Sequence, residues 1–145
     1  ALKDCKARKA SFDLQQAVLA NLLSTGLFSL MLLDDYNCAI AHSLFSVLVI
    51  LPGFEEKYLH GDVVAYGVLV QLAVDHDMER LPEAKKFLKD LGIPSTLKEM
   101  EVPLDREYLK DVLRETVTGP DMEHIPYPVT EDMIYQAMEI VEGLE

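Results

Sequence analysis

The feature that most constrains the fold is a series of apolar segments with helical spacing, each bounded by residues that begin or end helices. In the first long segment, Ser11 can cap a helix in which Leu14, Val18 and Leu22 recur at intervals of three or four residues. Helices are predicted in this way over residues 11–33, 34–51, 62–74, 82–92, 96–99, 105–117 and 130–145. No stretch of useful length alternates between apolar and polar residues as a half-buried strand does. The predicted fold class is therefore all-α, a multi-helix bundle.

Individual residues set the predicted helix ends. Asp34 or Asp35 is expected to cap the second helix, and Asp62 to begin the third, whose apolar residues on nearly all sides predict burial on most sides. Thr96 and Glu99 have the spacing of a capping box, which predicts a short helix there.

Length and charge limit the class of protein. A chain of 145 residues, half of them hydrophobic, is expected to form one domain that buries about 70% of the surface its unfolded chain exposes. Thirteen basic and twenty-five acidic side chains give a formal net charge of −12. That charge repels phosphate backbones and anionic lipid, so neither a nucleic acid nor a membrane is expected as a partner.

Neither a membrane span nor a signal peptide is predicted. The apolar stretches 27–33 and 38–51 are both shorter than the ~20 residues that a span needs, and no basic segment followed by an apolar one opens the chain. The two cysteines form no disulfide framework, which favours a reducing cytoplasm. Because the chain begins at Ala1 in a polar, helix-compatible stretch, we expect it to be part of a longer protein.

Two histidines lie in the most informative part of the chain, residues 41–72. His42 is within an apolar helical segment, and His60 follows eighteen residues later, just before the next helical segment. Because Pro52 and Gly53 separate the segments, the two can fold back on each other. Neutral imidazoles from two packed helices are common ligands of divalent metals. Sequence context alone leaves two interpretations open: a metal-binding pair, or a core histidine and a loop histidine.

Other potential ligands are weaker candidates. Cys38 lies four residues before His42 in the predicted helix and is interpreted as a small core residue. Asp35 is seven residues from His42, about 10 Å along a helix, which is too far to share its metal. His76 lies among charged residues and is interpreted as a surface residue, whereas His124 is in a loop and could line a cleft.

The residues alone identify no catalytic residue and no cofactor-binding residue. The chain has no glycine-rich phosphate loop, no Walker sequence and no GxGxxG pattern. It has no recognisable Ser-His-Asp or Cys-His arrangement. Its acidic residues are scattered over the predicted helix faces, as solvated surface residues are.

The segment around the histidines resembles the glycerol dehydrogenases, members of the iron-containing alcohol dehydrogenase family, whose fold includes dehydroquinate synthase. In that family an Ala-His pair on a helix is followed one loop later by the pattern HG(E/D)xVAxGxLxQL. Here Ala41 and His42 form the pair, and residues 60–72 read HGDVVAYGVLVQL. The likeness continues in residues 91–97, LGIPSTL, and 129–135, VTEDMIY.

The resemblance implies that residues 1–145 are the helical, C-terminal, metal-binding domain of an NAD(P)-dependent alcohol or polyol oxidoreductase, a dehydroquinate synthase-like α domain. His42 and His60 are then the metal ligands. The family's N-terminal domain, which is absent from this chain, carries the nicotinamide site and an aspartate that is the third ligand. In the family's mechanism zinc or iron acts as a Lewis acid on the hydroxyl of a small alcohol, polyol or hydroxy acid, whose carbon passes a hydride to the nicotinamide.

The resemblance also implies what this chain does by itself. Metal binding by the chain alone is expected to be weak, because two imidazoles are an incomplete ligand set, and the chain alone is not expected to turn over substrate. The family often forms homo-oligomers, so a homo-oligomer is expected for the intact protein.

The chain departs from the family pattern at one position beside the histidines. Family members commonly read AHxxHNG, whereas residues 41–47 read AHSLFSV, so Phe45 replaces a second histidine one helical turn after His42. Phenylalanine can neither bind a metal nor relay a proton. The alternative function is therefore a catalytically inactive relative that serves as a helical binding or oligomerisation module. A third interpretation is an unrelated helical domain, which imidazole nitrogens more than about 6 Å apart would favour, since metal–nitrogen bonds are about 2.1 Å.

Overall fold

In the computed structural model, which describes residues 1–32 and 38–144, every regular element is a helix. The α-helices are, in chain order, α1 (Leu2–Lys6), α2 (Phe12–Leu19), α3 (Thr25–Met31), α4 (Ile40–Leu48), α5 (His60–Val74), α6 (Arg80–Leu91), α7 (Lys110–Thr118) and α8 (Glu131–Gly143). A π-helical turn, Ala20–Ser24, joins α2 to α3, and a 3₁₀-helix, Pro120–Met122, follows α7. The prediction of an all-α, multi-helix fold is confirmed.

The chain divides into two compact units, Ala1–Asn37 and Cys38–Glu145. A single domain was expected from the length alone. The assignment of residues 1–145 to one C-terminal domain of a longer protein stays a prediction.

The first unit contains a long helical run with no buried residue. Ser11 caps it as predicted, because its Oγ accepts a hydrogen bond from the amide of Leu14 at 3.1 Å. The same Oγ donates to the carboxylate of Asp4 at 2.8 Å, which ties the run to α1. Large apolar side chains along the run are exposed, including Leu22 at 71% and Leu30 at 85%.

This run, Phe12–Met31, is long and apolar enough to cross a membrane, judged by length and composition alone. The helix itself was predicted over residues 11–33, but the expectation of no membrane span considered only residues 27–33 and 38–51, which are shorter. A core helix of a soluble protein and a signal sequence meet the same test. The lack of a membrane partner therefore stays a prediction.

The second unit has its core around α5. This helix packs against α4, α6 and α8, while α7 contacts both α4 and α8. The buried residues of α5 are Val63, Tyr66, Gly67, Leu69, Val70, Ala73 and Val74. Fully buried side chains from the neighbouring helices, such as Leu44, Leu113 and Met138, complete the core. The prediction that this segment is a helix buried on most sides is confirmed.

Gly67 allows α4 and α5 to approach each other closely. A Cβ atom at position 67 would lie 2.6 Å from the carbonyl oxygen of Ala41 and 2.7 Å from its Cα. Both are backbone atoms, which cannot rotate away as a side chain can. Because Ala41 directly precedes His42, this contact sets how closely the first histidine approaches α5.

The predicted bounds of α4 were wrong. The helix begins at Ile40, because Ala39 has an extended backbone (φ −158°, ψ −158°) that cannot belong to a helix. Cys38 therefore lies before the helix and not within it. The predicted caps, Asp34 and Asp35, lie outside the described residues. The helix ends at Leu48, three residues earlier than expected.

The predicted start of α5 was two residues late. The helix begins at His60, with Leu59 as the N-cap residue. Asp62 occupies the third helical position, where its carboxylate reaches back to accept a hydrogen bond from the amide of Leu59 at 3.3 Å. His60 is thus in the first turn of a helix and not in the preceding loop.

The predicted short helix at residues 96–99 is a hydrogen-bonded turn. The amide of Glu99 donates to the Oγ1 of Thr96 at 3.1 Å, which is one half of a capping box. The carboxylate of Glu99, however, accepts from the amide of Ser95 at 2.6 Å, one residue too early to close the box.

The helix predicted for 105–117 begins only at Lys110, after a turn. Thr130 caps α8 as predicted, its Oγ1 accepting from the third helical amide at 3.2 Å.

Candidate metal centre

His42 and His60 lie beside each other at one edge of the contact between α4 and α5. Their ring centroids are 5.7 Å apart, and the ring planes are tilted by 47°. His42 is half-buried in the first turn of α4, and His60 is exposed at the first position of α5. The structure therefore brings together the two residues that the sequence singled out.

A tightly folded connection brings the two helices back together. In residues 49–59 the backbone turns at Gly53, whose φ of 73° is readily adopted by glycine. Phe54 is only 4% exposed and anchors the connection to the core. The amide of Tyr58 donates to the carbonyl of Phe54 at 3.2 Å, and its hydroxyl donates to the carbonyl of Glu99 at 3.4 Å. These contacts place His60 directly after an anchored segment.

The spacing of the two rings fits a shared metal ion. Two imidazoles that bind one ion through nitrogens at about 2.1 Å have ring centroids about 5 Å apart. The observed 5.7 Å is within about 1 Å of that arrangement. Since each nitrogen lies about 1 Å from its centroid, facing nitrogens can come within about 4 Å of each other. This ring spacing is compatible with a shared ion, and the assignment of His42 and His60 as metal ligands stays a prediction.

Phe45 is the third aromatic side chain at this position. Its ring meets that of His60 edge to face, with centroids 4.1 Å apart and an interplanar angle of 63°. Phe45 lies three residues after His42, so the same face of α4 presents both side chains to His60. Phe45 is half-buried and also packs against the core.

The other candidate ligands form no larger group with this pair. Across residues 1–32 and 38–144, no three or more His, Cys, Asp or Glu side chains are arranged to hold a metal. Asp35 lies outside that part of the chain. Cys38 is half-buried, and His76 is exposed after the end of α5, as predicted for a surface residue. His124 is exposed in the loop before α8.

Sequence reasoning missed a buried hydrogen bond that fixes α4 next to the histidine pair. The Oγ of Ser43 donates to the carbonyl of Thr116 in α7 at 2.6 Å, and both residues are at most 2% exposed. Ser43 directly follows His42 and Ala41 directly precedes it, so this bond and the contact at Gly67 fix the backbone on both sides of His42. A serine within an apolar helical run and a glycine within a helix were the available sequence signals.

Tyr66 is a buried titratable side chain that directly precedes Gly67, the residue at which α5 contacts α4. It belongs to the core. Its side chain is fully buried, and burial, together with the negative charge of Glu142, raises the pKa of its hydroxyl well above the ordinary value. The phenol therefore stays neutral. Its hydroxyl has no hydrogen-bond partner among residues 1–32 and 38–144, so it has no proton-relay partner there.

Comparison with proteins of known name shows which group this chain is similar to in sequence. Hydroxycarboxylate dehydrogenase A of Escherichia coli is 33% identical over 109 residues, which are 74% of this chain and 30% of that protein. The glycerol dehydrogenase of Thermotoga maritima is 29% identical over 132 residues, 89% of this chain and 35% of the relative. The chain is a homologue of these dehydrogenases.

Further relatives agree with this homology. An uncharacterized oxidoreductase of Synechocystis is 29% identical over 143 residues, 91% of this chain and 36% of the relative. No family model matches the chain. The resemblance to glycerol dehydrogenases that the motif predicted is confirmed. The chain spans about a third of the length of these relatives, 30% to 36%.

Proposed function

We propose that this chain supplies two histidine ligands to the catalytic metal of an NAD(P)-dependent dehydrogenase that acts on a small alcohol, polyol or hydroxy acid. The observation that carries the proposal is the pairing of His42 and His60, with ring centroids 5.7 Å apart, in a homologue of glycerol and hydroxycarboxylate dehydrogenases. The two histidines that lie side by side are also the two that match the motif of these dehydrogenases, which a chance pairing would not explain.

The residues of this chain hold the metal side of the site. A zinc or iron ion, when bound, supplies a Lewis acid for the substrate hydroxyl. His42 and His60 provide two neutral nitrogen donors and leave the remaining positions open to further ligands and substrate. The Oγ of Ser43, bonded to the carbonyl of Thr116, fixes the helix that carries His42. The ring of Phe45 packs edge to face against that of His60.

The proposed enzyme also needs a nicotinamide site and a third metal ligand, which this chain does not supply. The resemblance implies a preceding domain that binds the nicotinamide and contributes an aspartate as third ligand. The same resemblance implies a homo-oligomer, and the cysteine usage favours the cytoplasm. The coding sequence upstream of Ala1 tests this part of the proposal: a glycine-rich nucleotide domain with a metal-binding aspartate supports the enzyme.

A second candidate function is a catalytically inactive relative that serves as a binding or oligomerisation module. Two observations favour it. Phe45 replaces the second histidine of the family pattern, and the helical run Phe12–Met31 exposes large apolar side chains that another surface could cover. An upstream domain that lacks the metal-binding aspartate would support this module over the enzyme.

Zinc titration followed by NMR of the imidazole signals tests the metal-binding proposal on this chain. We expect weak binding that shifts the signals of His42 and His60 together, while His76 and His124 serve as internal controls. Replacement of either ligand by alanine should abolish the shift of the other. Shifts that occur equally at all four histidines would overturn the proposal, and tight stoichiometric binding would show that the chain supplies a further ligand.

A further inference from the structure

We propose that Phe45 is a positioning residue, which fixes the orientation of the His60 imidazole so that its nitrogens are available toward His42. The role rests on the proposed function, because it concerns the geometry of the same histidine pair. Its structural basis is separate, since it depends on the ring contact between Phe45 and His60 and not on a bound ion.

His60 needs such a contact because of its place in the fold. It is exposed and occupies the first position of α5, where no preceding helical turn restricts its side chain. A free imidazole at such a position samples several rotamers. When it binds an ion it is held in one rotamer, and the side-chain entropy it loses opposes binding. A neighbouring side chain that already selects one rotamer therefore lowers the cost of binding an ion.

The contact between Phe45 and His60 is close enough to select an orientation. The ring centroids are 4.1 Å apart, which is shorter than the usual range of about 4.5 to 7 Å for aromatic pairs. The interplanar angle of 63° is that of an edge-to-face pair, which depends on how one ring is turned toward the other. Rotation of the imidazole away from this angle loses the contact.

Phenylalanine orients the imidazole without using its nitrogens. Histidine ligands of metals are usually oriented by a hydrogen bond from the second ring nitrogen to a carboxylate or a carbonyl. A phenylalanine ring has neither an acceptor of that kind nor an N–H group, so both nitrogens of His60 stay open to other partners. Because Phe45 lies one turn after His42, a single face of α4 supplies one ligand and orients the other.

The experiment compares Phe45→Leu, which removes the ring but keeps an apolar side chain, with Phe45→Tyr, which keeps the ring. Leu88→Ala is the control for lost packing, because Leu88 is buried in the core from α6, a helix that contributes no side chain to the histidine pair. The first readout is taken without metal, from the NOE between the ring protons of His42 and His60. We expect the NOE to be retained in the wild type, Phe45→Tyr and Leu88→Ala, and to weaken in Phe45→Leu.

The second readout is the zinc affinity of the same variants. An aromatic pair of this kind corresponds to roughly a twofold to tenfold change in affinity, so we expect Phe45→Leu to bind zinc that much more weakly and Phe45→Tyr to bind it as the wild type does. An unchanged NOE in Phe45→Leu, or an equal loss in Leu88→Ala, would overturn the positioning role. If zinc does not involve the histidines, the proposed function fails, and the NOE comparison still decides the role of Phe45.

Discussion

The substitution Gly67→Ala tests whether the close contact of α4 and α5 positions the first histidine. In a helix interior, alanine is favoured over glycine by about 1 kcal/mol. Here the added Cβ would lie 2.6 and 2.7 Å from backbone atoms of Ala41, which is closer than real Cβ contacts. The helices must therefore separate by about half an ångström in a close-packed core. Such overpacking costs about 1–3 kcal/mol, and after the gain of about 1 kcal/mol is subtracted we expect a net loss of up to about 2 kcal/mol.

Gly61→Ala is the matched control in the same helix. A Cβ at position 61 meets no atom within 4 Å, so this change should leave stability unchanged or raise it by up to about 1 kcal/mol. Urea unfolding of both variants measures the difference. Gly67→Ala should in addition weaken the NOE between His42 and His60, because Ala41 moves away from α5. A Gly67→Ala protein as stable as Gly61→Ala would show that α4 and α5 do not need a glycine at position 67 to pack.

Three further predictions concern buried or paired polar groups. Ser43→Ala removes the hydroxyl that donates to the buried carbonyl of Thr116, so the free energy of unfolding measured with urea should fall by about 1–3 kcal/mol. An unchanged free energy of unfolding would contradict a stabilising role for this hydrogen bond. Tyr66→Phe removes a buried hydroxyl with no partner among residues 1–32 and 38–144, so unfolding should show equal or higher stability, and a loss would mean that the hydroxyl is bonded. Burial and a hydrogen bond to Asp75 raise the pKa of Tyr127 from 10.0 to about 12. Because the folded state holds this proton more tightly, the protonated Tyr127 contributes to the free energy of unfolding below pH 10, and this contribution is lost as the pH rises toward 12. In Tyr127→Phe, the part of the stability loss between pH 10 and 12 that is due to this group should be absent.

The fold class and several helix caps could be predicted because they depend on neighbouring residues. Ser11 and Thr130 accept hydrogen bonds from amides three residues later, so their effect is visible in a short stretch of sequence. The bounds of α4 could not be predicted in this way. Its apolar pattern continues on both sides of Ile40–Leu48, and only the extended backbone at Ala39 separates the helix from Cys38.

The site was predictable as far as the spacing of His42 and His60 within a family motif. Their proximity depends on residues that carry no local signal for it. Gly67 and Ser43 act through Ala41 and Thr116, which are distant in sequence, so only the folded chain shows these contacts. The edge-to-face contact of Phe45 is likewise a property of the packed helices, whereas the sequence showed only that a histidine was replaced.

X-ray absorption spectroscopy of zinc, added to the chain with the protein in excess, shows whether His42 and His60 bind the same ion. We expect scattering from two imidazoles per ion, with zinc–nitrogen distances of about 2.0–2.1 Å. In His42→Ala and in His60→Ala the count should fall to at most one. A hydrated ion without imidazole scattering in the wild type, or an imidazole count that both substitutions leave unchanged, would contradict the proposal that His42 and His60 bind one metal together.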